Sequence, residues 1–461
     1  MKMKWLMLAS LSAVLSASLL SGCSAKNDNA AKNDNAANSA DASGEPITLT
    51  VLNAADDGIR DKFFADVVKP QFEKENPGIK LNVITTPFED FDSKFSTMVA
   101  GGTPPDVWSH WGNSGFVDYM TRGLTLDLTP YVKDLNNPNI PDASMKIYNI
   151  DGKQYGIPLS IFPSLVFYNK DAVKAAGIDL PDYKYGDPAW TWDKLVELAK
   201  KVTKNYGKPD AVYGFTWNMG SHMATYSWDW GLDIFQDAYK TGFLDKANLT
   251  DPKFVSAVKF TQDLIFKDKV TPTQAVNDAI SQTGDPDLTG KVIFDLNGGW
   301  EMSGFKDAKF NFGVEPMPLG PAGTSTPMVY TDPLMISSKS KHPDAAWKLV
   351  KFLTSPDMQK TFATTTGYPP ADSKAYTEWL KQFSDTVDLN YLTSVVQDSI
   401  THGKESPNHL IAGYGEITPF MQNEQQPIYV GDADPAAELP QINDRFNKLL
   451  ADIKAKSSSS K

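Results

Sequence analysis

Aromatic side chains stand beside short polar ones at several places where the chain leaves a predicted strand. His110, Trp111 and Asn113 form one such group, and Trp300 follows the run Asn297-Gly-Gly as another. An aromatic ring offers an apolar face, and a short polar side chain offers hydrogen bonds at a fixed place. This combination favours the noncovalent recognition of a small molecule.

Signals for catalysis are weak by comparison. The sequence contains neither His-Glu-x-x-His nor Gly-x-Ser-x-Gly, and its 5 histidines are scattered. Asp56 and Asp57 could in principle cleave a glycoside, but adjacent residues of one loop rarely face one bond from two sides. The stretch from Asp285 begins like a calcium loop, yet Leu296 occupies the place of its bidentate acid. We therefore predict no enzyme, no metal and no cofactor.

The single cysteine, Cys23, follows a short apolar segment at the start of the chain. Lys2 and Lys4 precede the run 5–20, which is too short for a comfortable membrane span and is typical of a secretory signal. Leu20-Ser-Gly-Cys23 resembles the bacterial lipobox, in which the thiol is diacylated and the chain is cut just before it. We predict a lipoprotein signal peptide over 1–22 and lipidation at Cys23. An uncleaved anchor helix and a chance cysteine are the alternatives.

The composition changes after the signal segment. Residues 24–44 contain no aromatic and no branched apolar residue, so 23–45 is predicted to be a lipidated flexible tether. Residues 456–461 are a second polar tail. The formal net charge of −12 argues against nucleic acid as a partner. Only three residues are arginine, which makes an acidic ligand less favoured than a neutral one.

The elements that must position these residues follow an α/β pattern. Strands are predicted at 47–52, at 79–84 and from Pro105, and they are separated by helices at 59–75 and 91–100. Strand and helix alternating at this spacing are typical of a parallel α/β sheet. The first helix should be strained at Pro70, and the C-terminal third of the chain should be mostly helical.

Seven stretches occur in the order found in one known family. They are FEKENPGIKLNV, AGGTPPDV, YGIPLSIFPSLVFYNKD, WTWDKLVELAKKV, GKVIFDLNGGW, NFGVEPMPLGPAG and HPDAAWKLVKFLTSPDMQ. The chain from residue 46 to about 453 resembles the extracellular solute-binding proteins of family 1, which are maltose-binding-protein-like receptors for ATP-driven importers. The resemblance implies the type II periplasmic-binding-protein fold, with two α/β lobes, a hinge and a ligand cleft between the lobes. Lobe 1 would be 46–160 plus 318–366, and lobe 2 would be 161–317 plus 367–455.

The resemblance also implies a carbohydrate ligand. Rings stack on the apolar faces of a pyranose, and short polar groups bond its hydroxyls. The predicted ligand-binding residues are Asp56, Asp57, His110, Trp111, Asn113, Phe162, Trp217, Asn218, His222, Trp300, Glu301, Tyr330, Asp332 and Tyr368. Trp300 falls on the principal stacking tryptophan of the family.

Several of these residues have a plain structural alternative. Asp56 and Asp57 could cap a helix, His110 could be a structural histidine, Phe162 could belong to the core and Tyr368 to a hinge turn. Relatives that bind maltodextrins carry a lysine at the position of Asp57 and an acid at that of Phe162. The departure at Asp57 argues against maltose itself, and the departure at Phe162 favours stacking over hydrogen bonding at that position.

The function implied is that of a monomeric receptor, lipid-anchored at the outer face of the cytoplasmic membrane of a Gram-positive bacterium. It would bind a neutral oligosaccharide and deliver it to the permease subunits of an ABC importer. A surface lipoprotein that senses or adheres to sugar without transport is the main alternative. A secreted glycoside hydrolase is a weaker one.

Overall fold

Three parallel strands near the start of the chain form one half of the central sheet. β1 (Ile47–Ala54) pairs along its whole length with β2 (Ile79–Thr86), and β3 (Val107–Trp108) pairs with β1 on its other side. This is the parallel arrangement that the sequence predicts. The structure is a computed structural model, and it describes residues 46–54, 58–88, 90–110, 115–217, 227–236, 238–305, 308, 310–407 and 410–459.

Eight further strands and a larger number of helices complete the described chain. The other strands are β4 (Asn149–Ile150), β5 (Lys153–Gln154), β6 (Ile157–Asn169), β7 (Tyr213–Trp217), β8 (Val292–Gly298), β9 (Phe312–Glu315), β10 (Met328–Ile336) and β11 (Lys404–Glu405). The helices of the first half are α1 (Ile59–Lys62), α2 (Lys69–Glu75), α3 (Phe91–Ala100), α4 (Phe116–Thr121), α5 (Thr129–Val132), α6 (Asp142–Ile147), α7 (Lys170–Ala175), α8 (Trp192–Val202) and α9 (Ala238–Thr241). Those of the second half are α10 (Pro252–Phe266), α11 (Gln274–Ser281), α12 (Met302–Phe305), α13 (Pro343–Leu353), α14 (Pro356–Thr366), α15 (Tyr376–Leu380), α16 (Leu389–His402), α17 (Tyr414–Glu424), α18 (Gln426–Tyr429) and α19 (Pro435–Ser459).

The described strands, apart from the β4–β5 pair, form one 9-stranded sheet. Its order is β2-β1-β3-β10-β6-β8-β7, with β11 beside β10 and β9 beside β6. Parallel pairs at each end of this order are joined through antiparallel pairs of β10 with β3 and β6, and of β6 with β8. The sheet is therefore mixed, with parallel pairs at its ends and antiparallel pairs at its centre.

The predicted strain at Pro70 appears as a change of helix type. The chain is helical from Ile59 to Glu75, as predicted, but Phe63–Val68 is π-helical. A proline ring inside a helix clashes with the carbonyl four residues earlier, which in this helix belongs to Asp66. The wider π turns accommodate this clash without ending the helix.

β6 connects the two halves of the sheet. Its 13 residues are buried as far as Tyr168. The stretch from Ile157 to Pro163 pairs with β10, and the stretch from Ser164 to Asn169 pairs with β8 and β9. β6 thus changes neighbours in the middle of the sheet, between Pro163 and Ser164.

Helix starts agree with their sequence signals. Thr191, Asp251 and Ser355 each accept a hydrogen bond from a backbone N–H of the helix that follows them. Proline stands at the first turn after Asp251 and Ser355, where no helical donor is lost. Most of the described chain after Pro343 is helical, as predicted.

Candidate ligand-binding site

Four aromatic side chains form a row where β6 passes from β10 to β8. Tyr330 of β10 pairs with Phe162 of β6, and Ser164 of β6 pairs with Gly298 of β8. This register brings the segment after β8, which carries Trp300, next to Phe162. The rings meet edge to face, with centroids 5.9 Å apart for Tyr368–Phe162, 5.7 Å for Phe162–Trp300 and 5.1 Å for Trp300–Tyr330. We call Tyr368, Phe162, Trp300 and Tyr330 the aromatic row.

Gly298 makes room for the half-buried ring of Trp300. A Cβ built at Gly298 would lie 2.1 Å from ring carbon Cζ3 of Trp300, so no other residue fits at this position without moving the ring. The indole Nε1 donates to Oε1 of Glu301 at 3.2 Å. The sequence predicts that the two glycines let another group approach the backbone closely, and at Gly298 that group is the indole of Trp300.

Carboxyl groups surround the polar edge of Trp300. Asn297 Nδ2 donates to Asp295 Oδ2 at 2.9 Å and to Glu301 Oε1 at 3.1 Å. Burial, together with the nearby carboxylates of Asp287 and Asp285, raises the pKa of Glu301 to about 8. Burial, with Asp287 next in importance, also raises the pKa of Asp295 well above its ordinary value. At neutral pH Glu301 therefore carries a proton and can donate as well as accept a hydrogen bond.

A buried ion pair lies beside Tyr368, at one end of the row. Arg60 Nη2 donates to Oδ2 of Asp332, and the two residues are 5% and 6% exposed. His110 Nε2 lies 3.8 Å from the other carboxylate oxygen, Oδ1. The guanidinium carbon of Arg60 is 5.4 Å from the centroid of the Tyr368 ring. We call Arg60 and Asp332 the buried ion pair.

Local backbone geometry fixes the position of Asp332. β10 has a bulge between Asp332 and Pro333, because proline has no N–H for the ladder. The neighbouring Thr331 is held by Tyr148, whose hydroxyl donates to its carbonyl oxygen. Glu405 accepts from the Thr331 N–H at 2.9 Å and from its hydroxyl at 2.8 Å. Asp332 therefore projects from a fixed stretch of strand.

The structure brings together seven of the predicted residues: His110, Phe162, Trp300, Glu301, Tyr330, Asp332 and Tyr368. Trp217, the last residue of β7, is separated from β6 by β8 and packs against Phe215 with centroids 5.3 Å apart. The remaining predicted positions lie outside the described residues: Asp56, Asp57, Trp111, Asn113, Asn218 and His222, together with the lipidation site Cys23.

Arg60 is a member of the site that the sequence patterns do not identify. The small number of arginines indicates few sites that could bind a carboxylate or phosphate, but it does not predict where each arginine lies in the fold. Arg60 lies at the start of the helix after the first strand, two residues beyond Gly58, whose φ of +69° turns the chain. That position beside a strand end is the signal that could have identified it.

The comparison with protein families decides the family. The profile of the family described as bacterial extracellular solute-binding protein matches residues 55–360. This chain belongs to that family. The resemblance stated from the sequence is therefore confirmed at this level.

Individual relatives cover most of the chain. A binding protein of Brucella abortus is 28% identical over 393 residues, which are 84% of this chain and 90% of that protein. The maltodextrin-binding protein of Bacillus subtilis is 24% identical over 399 residues, 86% of this chain and 88% of that protein. These relatives support the assignment across nearly the full length of the predicted lobes.

Solved structures confirm the fold class. An ABC substrate-binding protein of Listeria monocytogenes, in complex with cycloalternan, matches with a TM-score of 0.73 at 24% identity. It covers 88% of this chain and 100% of that chain. A maltose-bound protein of T. maritima matches with a TM-score of 0.68 at 22% identity, covering 87% of this chain and 100% of that one. The fold is thus that of the type II periplasmic-binding proteins.

The described residues contain no candidate for a membrane span or a metal site. No helix among them is both long and apolar enough to cross a membrane. No group of three or more His, Cys, Asp or Glu side chains in the described part of the chain is placed to hold a metal ion.

Proposed function

We propose that this solute-binding protein is a receptor that binds a neutral oligosaccharide between two lobes and delivers it to the permease subunits of an ABC importer. The observation that carries the proposal is the aromatic row, with polar groups beside Tyr368 and beside Trp300. Rings for the apolar faces of a sugar then stand between hydrogen-bonding groups for its hydroxyls.

The relatives support a sugar ligand by their own descriptions. One relative is a maltodextrin-binding protein, and another, 28% identical over 203 residues, is an arabinooligosaccharide-binding protein of Bacillus subtilis. The Listeria structure holds cycloalternan. These ligands are different oligosaccharides. They support an oligosaccharide as the class of ligand, and experiment must identify its linkage.

The charge distribution supports a neutral ligand. Arg60, the cation beside the aromatic row, is engaged by Asp332, so a ligand carboxylate would compete with a resident one. The carboxylates of Asp287 and Asp285 lie close enough to Glu301, beside Trp300, to raise its pKa. An anionic sugar would meet like charge there and would be disfavoured.

The lobes are proposed as 46–160 plus 318–366 and 161–317 plus 367–455, with ligand binding in the cleft between them. The exchange of partners along β6, after Pro163, supports a boundary close to residue 160. A lipid anchor at Cys23 and a tether over 23–45 complete the proposed receptor, acting as a monomer outside the cytoplasmic membrane.

A thermal-shift screen tests the ligand class. Purified mature protein would be heated with maltotriose, cycloalternan, arabinotriose, xylotriose and mannotriose, and the same sugars would then be titrated by calorimetry. A sugar at 100 times its Kd should stabilise the fold by about 2.7 kcal/mol. One-to-one binding is expected. A panel that shifts nothing counts against the proposal.

A second measurement separates a receptor from a hydrolase. The bound sugar is recovered after long incubation with the protein and analysed by chromatography. It should return intact. Shortened products that form at a rate proportional to protein concentration would replace the receptor proposal with a glycoside hydrolase.

A further inference from the structure

We infer that Arg60 is a positioning and specificity-determining residue of the proposed sugar site: it fixes Asp332 and Tyr368 for the ligand and cancels the charge of the carboxylate. The inference rests on the proposed function. It concerns a residue that neither the sequence pattern nor the relatives assign to the site.

The first step concerns Oδ1, the second carboxylate oxygen of Asp332. Arg60 occupies Oδ2, while His110 Nε2 is 3.8 Å from Oδ1, beyond hydrogen-bond distance. Among the described residues, Oδ1 has no hydrogen-bond donor. A carboxylate held at one oxygen by a guanidinium presents the other in a fixed direction. A ligand hydroxyl is the donor that would suit it.

The second step concerns the ring that shares the same cation. The guanidinium of Arg60 stands over Tyr368, and Tyr368 packs edge to face against Phe162. One buried side chain thus orients both a hydrogen-bond acceptor and the first ring of the aromatic row. Lysine cannot replace it at such a site, because a point charge has neither the planar fork nor the stacking face.

The third step concerns selectivity. A buried ion pair is a weak source of stability, since desolvation offsets most of its attraction, and an apolar replacement often serves the fold as well. In this site Arg60 offsets the charge of a strong acceptor next to the rings. Where Asp332 is neutralised, a ligand carboxylate can take its place at the guanidinium. Asp332 therefore determines whether the site admits uncharged or acidic sugars.

The test uses affinity and melting temperature together. The ligand is the tightest binder of the five-sugar panel, measured by calorimetry with Arg60→Lys, Arg60→Met and the double variant Arg60→Met/Asp332→Asn. Arg60→Lys should weaken binding about tenfold to a hundredfold. Arg60→Met should also melt earlier, because it leaves a buried carboxylate unpaired. The double variant should recover the melting temperature and keep the weak binding.

The matched control is Arg445→Lys. Arg445 is an exposed arginine that donates through both Nε and Nη2 to Glu424, away from the aromatic row. Its affinity for the same sugar should equal that of the wild type. Affinity within threefold of wild type in Arg60→Lys, or full recovery of affinity in the double variant, would overturn the inference.

A second measurement is the preference between two matched ligands. A purely structural role of the ion pair would leave this preference unchanged. The panel binder is compared with an analogue that carries one carboxylate: a hexose sugar oxidised at one free C6 to a uronic acid, or a pentose chain bearing one glucuronic acid substituent. Wild type should prefer the neutral form, and Asp332→Asn should shift the affinity ratio toward the acid by at least about tenfold. An unchanged ratio overturns the selectivity. If no panel sugar binds wild type, the proposed function fails and the inference fails with it, whereas binding that ignores Arg60 overturns the inference alone.

Discussion

The indole of Trp300 is held on three sides. Gly298 leaves space beneath it, Phe162 and Tyr330 meet it edge to face, and Glu301 accepts from its Nε1. Such support fixes the ring before a ligand arrives, so little ordering entropy remains to be lost on binding. Preorganisation of this kind suits a stacking platform.

Replacing Trp300 with alanine tests this role. Aromatic contacts contribute ~0.5–1.5 kcal/mol beyond their area, and buried apolar surface adds ~25 cal/mol per Å². We expect Trp300→Ala to weaken sugar binding by about 2–4 kcal/mol, roughly thirtyfold to a thousandfold. Calorimetry measures the affinity, and circular dichroism checks the fold. Unchanged affinity removes Trp300 from the site, and a collapsed melting temperature assigns it to the core.

Glu301 predicts a pH dependence of stability. Its pKa is about 8 in the folded protein against an ordinary 4.5, so the folded state keeps a proton that the unfolded chain releases. The stabilisation is complete below pH 4.5 and is lost as the pH rises to about 8. Asp295, whose pKa is also raised, acts in the same direction.

Glu301→Gln isolates the contribution of this side chain. The amide keeps the shape and cannot ionise, so the variant should lose less stability than the wild type between pH 5 and about 8.5. Urea unfolding at several pH values measures the difference. Parallel curves for the two proteins would mean that Glu301 ionises normally in the fold.

At the scale of elements, the bulged part of β10 depends on Glu405. Both oxygens of that carboxylate bind Thr331, one residue before Asp332. Thr331→Val removes one donor from a buried carboxylate and keeps the side-chain shape, so we expect a loss of about 1–3 kcal/mol in the free energy of unfolding. Chemical denaturation measures the loss.

The control for that substitution is Thr250→Val. Thr250 is exposed, and its hydroxyl contacts only Asn248 among the described residues. Its effect on stability should stay within about 0.5 kcal/mol. Equal losses at both positions would show that the Thr331 hydroxyl adds nothing to the frame of β10.

Element types were predictable because they depend on local patterns. Apolar alternation indicated β1 and β2, and Gly101-Gly102 marked the end of α3. The exchange of partners by β6 depends on contacts between distant segments of the chain, and the local hydrophobic pattern does not predict such contacts. Seven of the predicted ligand-binding residues lie together, some of them predicted from their place after a strand and others, such as Trp300, from the family resemblance. Arg60 was missed because its partner, Asp332, lies 272 residues away.

At the scale of the whole molecule, contacts outside β6 also join the proposed lobes. The N–H of Gly413 donates to Oδ1 of Asp118 at 3.0 Å, and Gly242 packs on Val117. Asp118 and Val117 belong to proposed lobe 1, and the two glycines to proposed lobe 2. This contact surface stabilises the arrangement in which the two lobes meet.

A wedge at Gly242 should favour an open form. A Cβ there would lie 2.8 Å from Cγ1 of Val117, and overpacking costs ~1–3 kcal/mol. We expect Gly242→Ala to weaken sugar binding by roughly 5-fold to 150-fold and to reduce the compaction seen by X-ray scattering on adding ligand. Gly290→Ala carries similar backbone strain, with φ of +71° against +76°, and its Cβ meets no atom within 4 Å. Equal effects of both substitutions would attribute the loss to strain alone.

The proposed anchor predicts where the whole molecule resides in the cell. Cys23→Ser should release the protein to the medium and leave its sugar affinity unchanged, because the tether separates the anchor from the site. Fractionation after a high-salt wash measures the distribution. A variant that stays in the membrane fraction contradicts lipidation at Cys23.

The position of β10 in the sheet has a consequence for biosynthesis. β10 lies between β3 and β6, yet it ends at Ile336, long after both of those strands have been made. The centre of the sheet therefore stays open until the ribosome has passed that residue, roughly 20–70 s at ~5–20 residues per second. Throughout that time the nascent chain lacks its native centre. In this member of an extracellular protein family, the order of the strands delays completion of the fold until most of the chain has been made.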